Sequence, residues 1–166
     1  MNERPDIKLR PLQPLDDASL ASVIRAALVE FGADRPGFAW QDPELDAMSN
    51  TYNVSGHLYV VAVAGEIVLG GAGFGPLSGV AATCELQKMY LAPSARRQGV
   101  GWRLMGLLLE EARLMGYRWV YLETLTGMVE AQQLYRAWGF LKIAHPLGQT
   151  GNGGCDCWYL KELQGP

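Results

Sequence analysis

The sequence predicts a single α/β domain, residues 1–166, in which helices flank a mixed central sheet. Three observations carry this prediction. Residues 85–140 follow the order strand, glycine turn, helix, strand, helix. Two apolar segments joined by Gly65 and Glu66 precede this unit and predict a β-hairpin. A chain of 166 residues, 49% of them hydrophobic, is long enough for one domain with a core of its own.

The first elements are a short strand and an amphipathic helix. Residues 7–12 alternate in character, which predicts the strand. Asp16 or Asp17 is then suited to cap a helix that ends near Phe31. The apolar residues of this helix follow helical spacing, and they are Leu20, Val23, Ile24, Ala27 and Leu28.

A loop, a second helix and the hairpin come next. Residues 32–42 predict a loop whose aromatic residues, Phe38 and Trp40, either wall a ligand site or pack. Asp42 precedes Pro43, which is tolerated in the first helical turn, so a helix opens here. Residues 58–64 and 67–74 are the two strands of the hairpin.

The core unit contains a turn that is suited to bind an anion. We predict strands at residues 85–91 and 119–125, helices at 102–115 and 128–138, and a basic glycine turn at 96–101. Gly99 and Gly101 let the backbone approach a ligand, and the first N–H groups of the next helix have no intrahelical partner. The helix dipole, Arg96 and Arg97 add positive potential, so a phosphate or pyrophosphate fits.

A dinucleotide-binding fingerprint is the competing interpretation of this turn. Leu104 stands where the third small residue of that fingerprint belongs, and the chain has no room for a second mononucleotide half. The sequence therefore favours a different phosphate-bearing ligand.

The C-terminal part predicts two more strands, at residues 141–144 and 155–160. The glycine-rich segment 146–154 between them is either a lid on the substrate side or a flexible connection. Cys155 and Cys157 have the spacing that places both thiols on one face of a strand. No Cys or His pair at metal-binding spacing accompanies them, so we predict no metal site.

Composition excludes several classes of function. The net charge of −3 does not indicate a nucleic-acid surface, and the most apolar run, residues 58–74, is interrupted by Glu66 and rich in glycine. Residues 1–10 carry no apolar signal segment, and three cysteines fit a reducing compartment. We therefore expect a cytoplasmic protein without nucleic-acid or membrane partners.

The core unit resembles the GCN5-related N-acetyltransferases, the GNAT superfamily. The family signature, Gln/Arg-x-x-Gly-x-Gly/Ala after a strand, is filled by Arg96, Gly99 and Gly101. A second family motif lies about thirty-five residues further on, and it consists of Ala131, Leu134, Tyr135, Gly139 and Phe140. Two motifs in the right order and on the right elements make the resemblance specific.

This resemblance implies a fold and a cofactor. The GNAT sheet is mostly antiparallel and splayed at the core unit, so that acetyl-CoA enters between two strands and CoA leaves as product. By the resemblance, the backbone near the end of the first core strand binds the pantetheine arm and the turn binds the pyrophosphate. The implied cofactor-binding residues are Met89, Tyr90, Leu91, Arg96, Arg97, Gln98, Gly99, Val100, Gly101 and Trp102. Met128 departs from the family pattern, because many members have Asn there.

An alkyl amine has a pKa of about 10.4, so it is protonated at neutral pH and a base helps to free its lone pair. The thiol of CoA has a pKa of about 8.5, so an acid helps the departing thiolate to leave. Tyr135 matches the family tyrosine near the cofactor sulfur and is the candidate acid, although its helical spacing also suits a core position. Glu123 and Glu85 are the candidate bases. Glu123 shares a strand face with Tyr121; either glutamate is alternatively an ordinary paired strand residue.

We therefore predict an N-acetyltransferase that moves acetyl from acetyl-CoA to the primary amine of a small molecule by direct attack in a ternary complex. Strand alternation predicts that Glu85 shares a face with Gln87 and Met89. Two alternatives stay open: a non-catalytic acyl-CoA-binding sensor, and an acetyltransferase for protein or peptide N-termini. The sequence leaves the amine, the choice of glutamate and the oligomeric state, including a homodimer, undecided.

Overall fold

A computed structural model describes residues 5–151 and 153–164. Residues 1–4 of the polar N-terminal segment and Asn152 of the glycine-rich segment lie outside the described residues. The strands are β1 (Ile7–Pro11), β2 (Leu58–Ala64), β3 (Ile67–Pro76), β4 (Thr83–Leu91), β5 (Trp119–Thr124), β6 (Leu141–Ile143) and β7 (Cys157–Glu162). The α-helices are α1 (Asp17–Glu30), α2 (Met48–Tyr52), α3 (Val100–Leu114) and α4 (Val129–Ala137).

The strands form one seven-stranded sheet in the order β1-β2-β3-β4-β5-β7-β6. Every neighbouring pair is antiparallel except β4 and β5, which are parallel. The mixed, mostly antiparallel sheet flanked by helices confirms the predicted fold class. Among the described residues, no helix is long and apolar enough to cross a membrane.

The sheet opens between its two parallel strands. β4 pairs with β5 only where Thr83–Glu85 lies beside Trp119–Tyr121. Beyond these three pairs the strands separate, and a cleft lies between the second half of β4 and the end of β5. This opening is the splay that the family resemblance implies, and it places the ends of both strands beside the cleft.

A β-bulge interrupts β4 next to the opening. Gly73 pairs with Gln87 and Gly71 pairs with Tyr90, so β4 has one residue more than β3 in this interval. Lys88 takes the left-handed backbone conformation, with φ of 49°. The prediction that Glu85, Gln87 and Met89 share a face was wrong, because the extra residue turns Met89 to the opposite face of the sheet.

Two hydrophobic clusters cover the two faces of the sheet. One contains the buried faces of α3 and α4 together with Leu86 and Phe140. The other contains the buried face of α1 with Met48, Tyr52 and Tyr59. α3 and α1 thus lie on opposite faces of the sheet, and the opening between β4 and β5 lies between their clusters.

Three predicted details of the helices differ from the structure. No side-chain cap is present at the start of α1, because the carboxylate of Asp16 is bound by Arg10 at 2.7 and 2.8 Å and that of Asp17 by Ser49. The segment after Asp42 begins as a 3-10 helix, Pro43–Ala47, before α2 starts. α3 begins at Val100, two residues earlier than predicted.

The two cysteines near the C-terminus do not share a face. β7 begins at Cys157, which is buried in the cluster under α3 and α4, whereas Cys155 precedes the strand and lines the cleft. The predicted strand at 155–160 therefore began two residues too early, and the spacing argument failed with it.

Candidate active site

A groove of about 340 Å³ lies where β4 ends and α3 and α4 begin. Nine of the ten predicted cofactor-binding residues line this groove. They are Met89, Tyr90, Leu91, Arg96, Arg97, Gly99, Val100, Gly101 and Trp102. The structure thus brings together residues from the strand, the turn and the helix.

The turn before α3 directs its backbone toward the groove. Arg97 and Gly99 have left-handed backbone conformations, with φ of 58° and 74°. Gly99 is the residue that precedes the first turn of α3, and no side chain caps this helix. The first N–H groups of α3 are therefore available to an anion in the groove.

The three polar side chains of the turn are engaged within the protein. Arg96 forms a bidentate ion pair with Glu30 at the end of α1. Arg97 is exposed and lies 3.2 Å from a carboxylate oxygen of Glu130. Gln98 donates to the carbonyl oxygen of Ser94 and does not line the groove. The positive charge of Arg96, expected to face the ligand, is thus largely neutralised by Glu30.

Sequence reasoning missed the part of the groove wall that α1 contributes. Ala27 and Phe31 line it, and the Arg96 guanidinium lies 5.5 Å from the centre of the Phe31 ring. Met128, which stands at the family's Asn position, also lines the groove and accepts a weak hydrogen bond from Thr124. No sequence signal pointed to α1, because its contact with the turn spans more than sixty residues of chain.

Tyr135 lies at the inner end of the groove. It is 6% exposed, its ring packs against Phe140 and Tyr159, and it also lines the cleft between β4 and β5. In the described part of the chain, no residue is hydrogen-bonded to the Tyr135 hydroxyl. Burial raises the pKa of Tyr135 above its usual value, so the hydroxyl stays protonated at neutral pH.

A second cavity, of about 320 Å³, lies on the α1 side of the opening. Four carboxylates line it, and we call it the acidic pocket. They are Asp42, Glu44, Glu85 and Glu123. Tyr90 lines both the groove and the acidic pocket, so the two cavities meet at the bulged end of β4.

The two candidate bases lie in this pocket on neighbouring strands. Glu85 is 5% exposed and accepts a hydrogen bond of 3.0 Å from Gln87, which in turn accepts one from the Tyr52 hydroxyl. Glu123 accepts from the hydroxyls of Tyr121 at 2.7 Å and Thr150 at 2.8 Å. Hydrogen bonds from neighbouring side chains therefore hold both carboxylates in place.

The glycine-rich segment closes one side of the acidic pocket. The N–H of Gly154 donates to Gly37, the N–H of Gln149 donates to Ser78, and Thr150 reaches Glu123. Phe38 lines the pocket, whereas Trp40 packs against the core under α1. Phe38 also packs against that core, so packing is observed for both aromatic residues, and a role of Phe38 as the wall of a ligand site stays a prediction.

Three polar residues of the pocket were not anticipated from the sequence. Lys88 is ion-paired with Glu44 and lies 3.6 Å from a carboxylate oxygen of Asp42. Thr51 of α2 and His57, which directly precedes β2, also line the pocket. The three residues come from the bulge, from α2 and from the residues before β2, so they meet only through tertiary packing.

No cluster of metal-ligating side chains occurs within residues 5–151 and 153–164. Cys155 lines the acidic pocket beside Glu123, and burial, followed by the charge of Glu123, raises its pKa to about 12. Its thiol is therefore protonated at neutral pH and is a poor nucleophile there.

The model of the acetyltransferase (GNAT) family matches residues 24–140, which include the groove and both candidate bases. This chain belongs to the GNAT family of acetyltransferases. Among its relatives is an uncharacterized N-acetyltransferase of Escherichia coli K12, YjgM, which is 42% identical over 159 residues that cover 93% of this chain and 94% of the relative. The resemblance predicted from two motifs is thus confirmed.

Solved structures that are named as acetyltransferases share the fold. An acetyltransferase of the GNAT family from Staphylococcus aureus Mu50 superposes with a TM-score of 0.83 at 20% identity, covering 95% of this chain and 99% of that one. The Salmonella typhimurium protein yncA, whose structure contains its cofactor acetyl-CoA, superposes with a TM-score of 0.76 at 19% identity, covering 95% and 94%.

Proposed function

We propose that this GNAT acetyltransferase transfers acetyl from acetyl-CoA to the primary amine of a small molecule. The observation that carries the proposal is the junction of the groove with the acidic pocket, where Tyr135 lies on one side and Glu85 and Glu123 on the other. This arrangement supplies an acid and a base to one reacting centre from opposite sides.

The groove residues fit acetyl-CoA as their ligand, and acetyl-CoA supplies an activated acetyl thioester. The free N–H groups at the start of α3 and the left-handed Gly99 support binding of the pyrophosphate there. Met89, Tyr90 and Leu91 follow the bulge on the open side of β4 and are the backbone segment for the pantetheine arm. Arg96 enters this proposal as a residue that positions the turn, since Glu30 binds its guanidinium.

The acidic pocket supports binding of the acceptor as an ammonium ion. Its carboxylates attract the cation, and Glu85 or Glu123 then removes a proton to expose the nitrogen lone pair. The nitrogen attacks the thioester carbonyl carbon, so a C–N bond forms as the C–S bond breaks. The departing thiolate takes a proton from the Tyr135 hydroxyl, and the tyrosinate takes up the second proton that the acylated nitrogen loses. The products are an amide, free CoA and a protonated glutamate.

The closed side of the pocket supports a small acceptor over a peptide N-terminus. Phe38 and Thr150 of the glycine-rich segment line the pocket with the carboxylates, and Thr150 donates to Glu123. Hydrogen bonds to Gly37 and Ser78 hold this segment to the rest of the domain. All three cysteines are free, which supports a reducing compartment such as the cytoplasm.

The test is release of thiol from acetyl-CoA across a panel of small primary amines and of peptides with free N-termini. We expect release with small amines and an acetylated amine of matching mass. Peptides accepted in preference to small amines would contradict the proposed substrate class. Binding of acetyl-CoA without turnover on any member of the panel would instead favour a non-catalytic sensor.

A further inference from the structure

The acidic pocket carries more negative charge than one ammonium ion would neutralise. The inference drawn from this charge rests on the proposed function. Four carboxylates line the pocket, against the single ammonium of Lys88. Each carboxylate is at most partly exposed, and Glu85 is 5% exposed. Partly buried charges are screened less by salt than surface charges, so an acceptor entering the pocket meets a strongly negative potential.

The carboxylates divide into two ends. Glu85 and Glu123 lie next to the opening of the sheet, on β4 and β5, where the acceptor amine reacts. Asp42 and Glu44 belong to the 3-10 segment before α2 and form the distal end together with Lys88. The distal end has two carboxylates and one ammonium, so it keeps a net negative charge after its own ion pairs are counted.

Lys88, at the distal end, has a strained backbone conformation. Lys88 is a non-glycine residue with φ of 49°, its side chain is 11% exposed, and its carbonyl oxygen accepts a 2.8 Å hydrogen bond from the buried Tyr59 hydroxyl. Strained residues of this kind concentrate at ligand sites, because surrounding structure must hold them. The bulge thus projects Lys88 between Asp42 and Glu44, inside a cavity that opens to the reacting centre.

We infer that the acceptor is a diamine or polyamine, which places a second ammonium group at the distal end of the acidic pocket. One nitrogen lies at Glu85 and Glu123 and is acetylated, and the other is attracted by Asp42 and Glu44. An α-amino acid fits less well, because its carboxylate faces four carboxylates and the ammonium of Lys88 already has partners. A monoamine leaves the distal charge without a ligand.

The experiment compares three acceptors of similar length: an α,ω-diamine, the linear monoamine, and the amino acid that carries a carboxylate at the distal end. The diamine is expected to have a kcat/KM roughly ten times that of the monoamine at low salt, and a steeper loss of kcat/KM with ionic strength. The amino acid is expected to have the lowest kcat/KM of the three acceptors.

Variants of the distal end locate the effect. Glu44→Gln is expected to lower kcat/KM for the diamine roughly three- to tenfold and kcat/KM for the monoamine by a clearly smaller factor. It is expected to raise kcat/KM for the amino acid, because Lys88 loses a partner. Asp46→Asn is the matched control, since Asp46 pairs with Arg25 on the surface and does not line the pocket. An unchanged KM for acetyl-CoA shows that each variant is folded.

The outcomes separate this inference from the proposed function. Acetylation of amines with no preference for the diamine, or with a preference for the amino acid, overturns this inference alone. A diamine preference that Glu44→Gln leaves intact also overturns it, because the distal end then plays no part. If none of the three acceptors is acetylated while acetyl-CoA binds, the proposed function fails together with the inference.

Discussion

The guanidinium of Arg96 is bound by both carboxylate oxygens of Glu30, with N–O distances of 2.7 Å. The Nε–H of the same guanidinium donates to the carbonyl oxygen of Leu91 at 3.0 Å. Arg96 therefore joins the end of α1, the end of β4 and the glycine turn. The pKa of Glu30 is lowered by the hydrogen bond from Arg96, so the pair is charged at neutral pH.

This pair predicts that Glu30→Gln weakens acetyl-CoA binding. If Arg96 braces the turn, loss of the ion pair raises KM for acetyl-CoA roughly three- to tenfold and leaves kcat nearly unchanged, because the α3 N–H groups are less well positioned. Steady-state kinetics with acetyl-CoA as the varied substrate measures both constants.

Glu110→Gln is the matched control, because it removes another bidentate Glu–Arg pair, with Arg113, outside the groove. A lower KM in Glu30→Gln would contradict the brace. It would mean that Arg96, once released, binds a phosphate directly, as its place in the motif suggests.

The sequence predicted the fold because each core element carries a strong local pattern. The turn residues Gly99 and Gly101, the hairpin at Gly65 and the helix that contains Tyr135 follow from glycine placement and apolar spacing alone. The nine groove residues lie together because they belong to three consecutive elements of one unit.

The parts that could not be predicted depend on contacts between distant segments. The bulge at Lys88 has no sequence signature, and it decides which side chains of β4 reach the acidic pocket. Asp42, Glu44 and Lys88 meet only through tertiary packing, across more than forty residues. The same holds for Glu30, which binds the guanidinium of Arg96. From the motif alone, that guanidinium would be expected to bind a phosphate.

Tyr135→Phe is expected to lower kcat about 100-fold and to change KM for acetyl-CoA less than about twofold. The phenol is protonated at neutral pH and so carries a proton for the thiolate, although burial raises its pKa and makes it a weaker acid. Phe keeps the packing against Phe140. Tyr117→Phe removes a tyrosine hydroxyl hydrogen bond to Gly56, outside both cavities, and serves as the control. Equal kinetic effects of the two variants would refute the acid role.

Glu85→Gln and Glu123→Gln are expected to differ in their pH profiles. The variant that lacks the base loses about 100-fold in kcat/KM at pH 7 and recovers toward higher pH, because the free amine fraction rises about tenfold per pH unit below its pKa of about 10.4. The other variant keeps the wild-type profile. Glu66→Gln, in the exposed hairpin turn, is the control. Wild-type pH profiles in both variants would exclude a glutamate base.

Cys155 is expected to be alkylated slowly in the native protein. Burial and the neighbouring Glu123 raise its pKa to about 12, so at pH 8 almost none of it is thiolate. With iodoacetamide we expect a rate roughly 10- to 100-fold below that of a thiol with a pKa of about 8.5, rising with pH. Peptide mapping by mass spectrometry measures the adduct, and the urea-unfolded chain supplies the reference rate. Equal rates in the folded and unfolded chains would contradict the raised pKa.

Two adjacent glycines beside the acidic pocket differ in the space around them. A Cβ on Gly154 would lie 2.5 Å from atoms of the Phe38 ring, whereas a Cβ on Gly153 has nothing within 4 Å. The N–H of Gly154 also donates to Gly37, in the loop that carries Phe38. Substitution of Gly154 must therefore move the aromatic wall of the pocket, and substitution of Gly153 need not.

Gly154→Ala is accordingly expected to raise KM for the amine roughly three- to tenfold. The added methyl group displaces the Phe38 ring, and the shifted ring alters the acceptor cavity more than the methyl group itself does. The KM for acetyl-CoA stays close to the wild-type value, since Phe38 does not line the groove. Gly153→Ala makes the same chemical change one residue away and controls for the lost flexibility of glycine. If both variants raise KM for the amine equally, the effect arises from the backbone of the segment, and Phe38 does not shape the acceptor site.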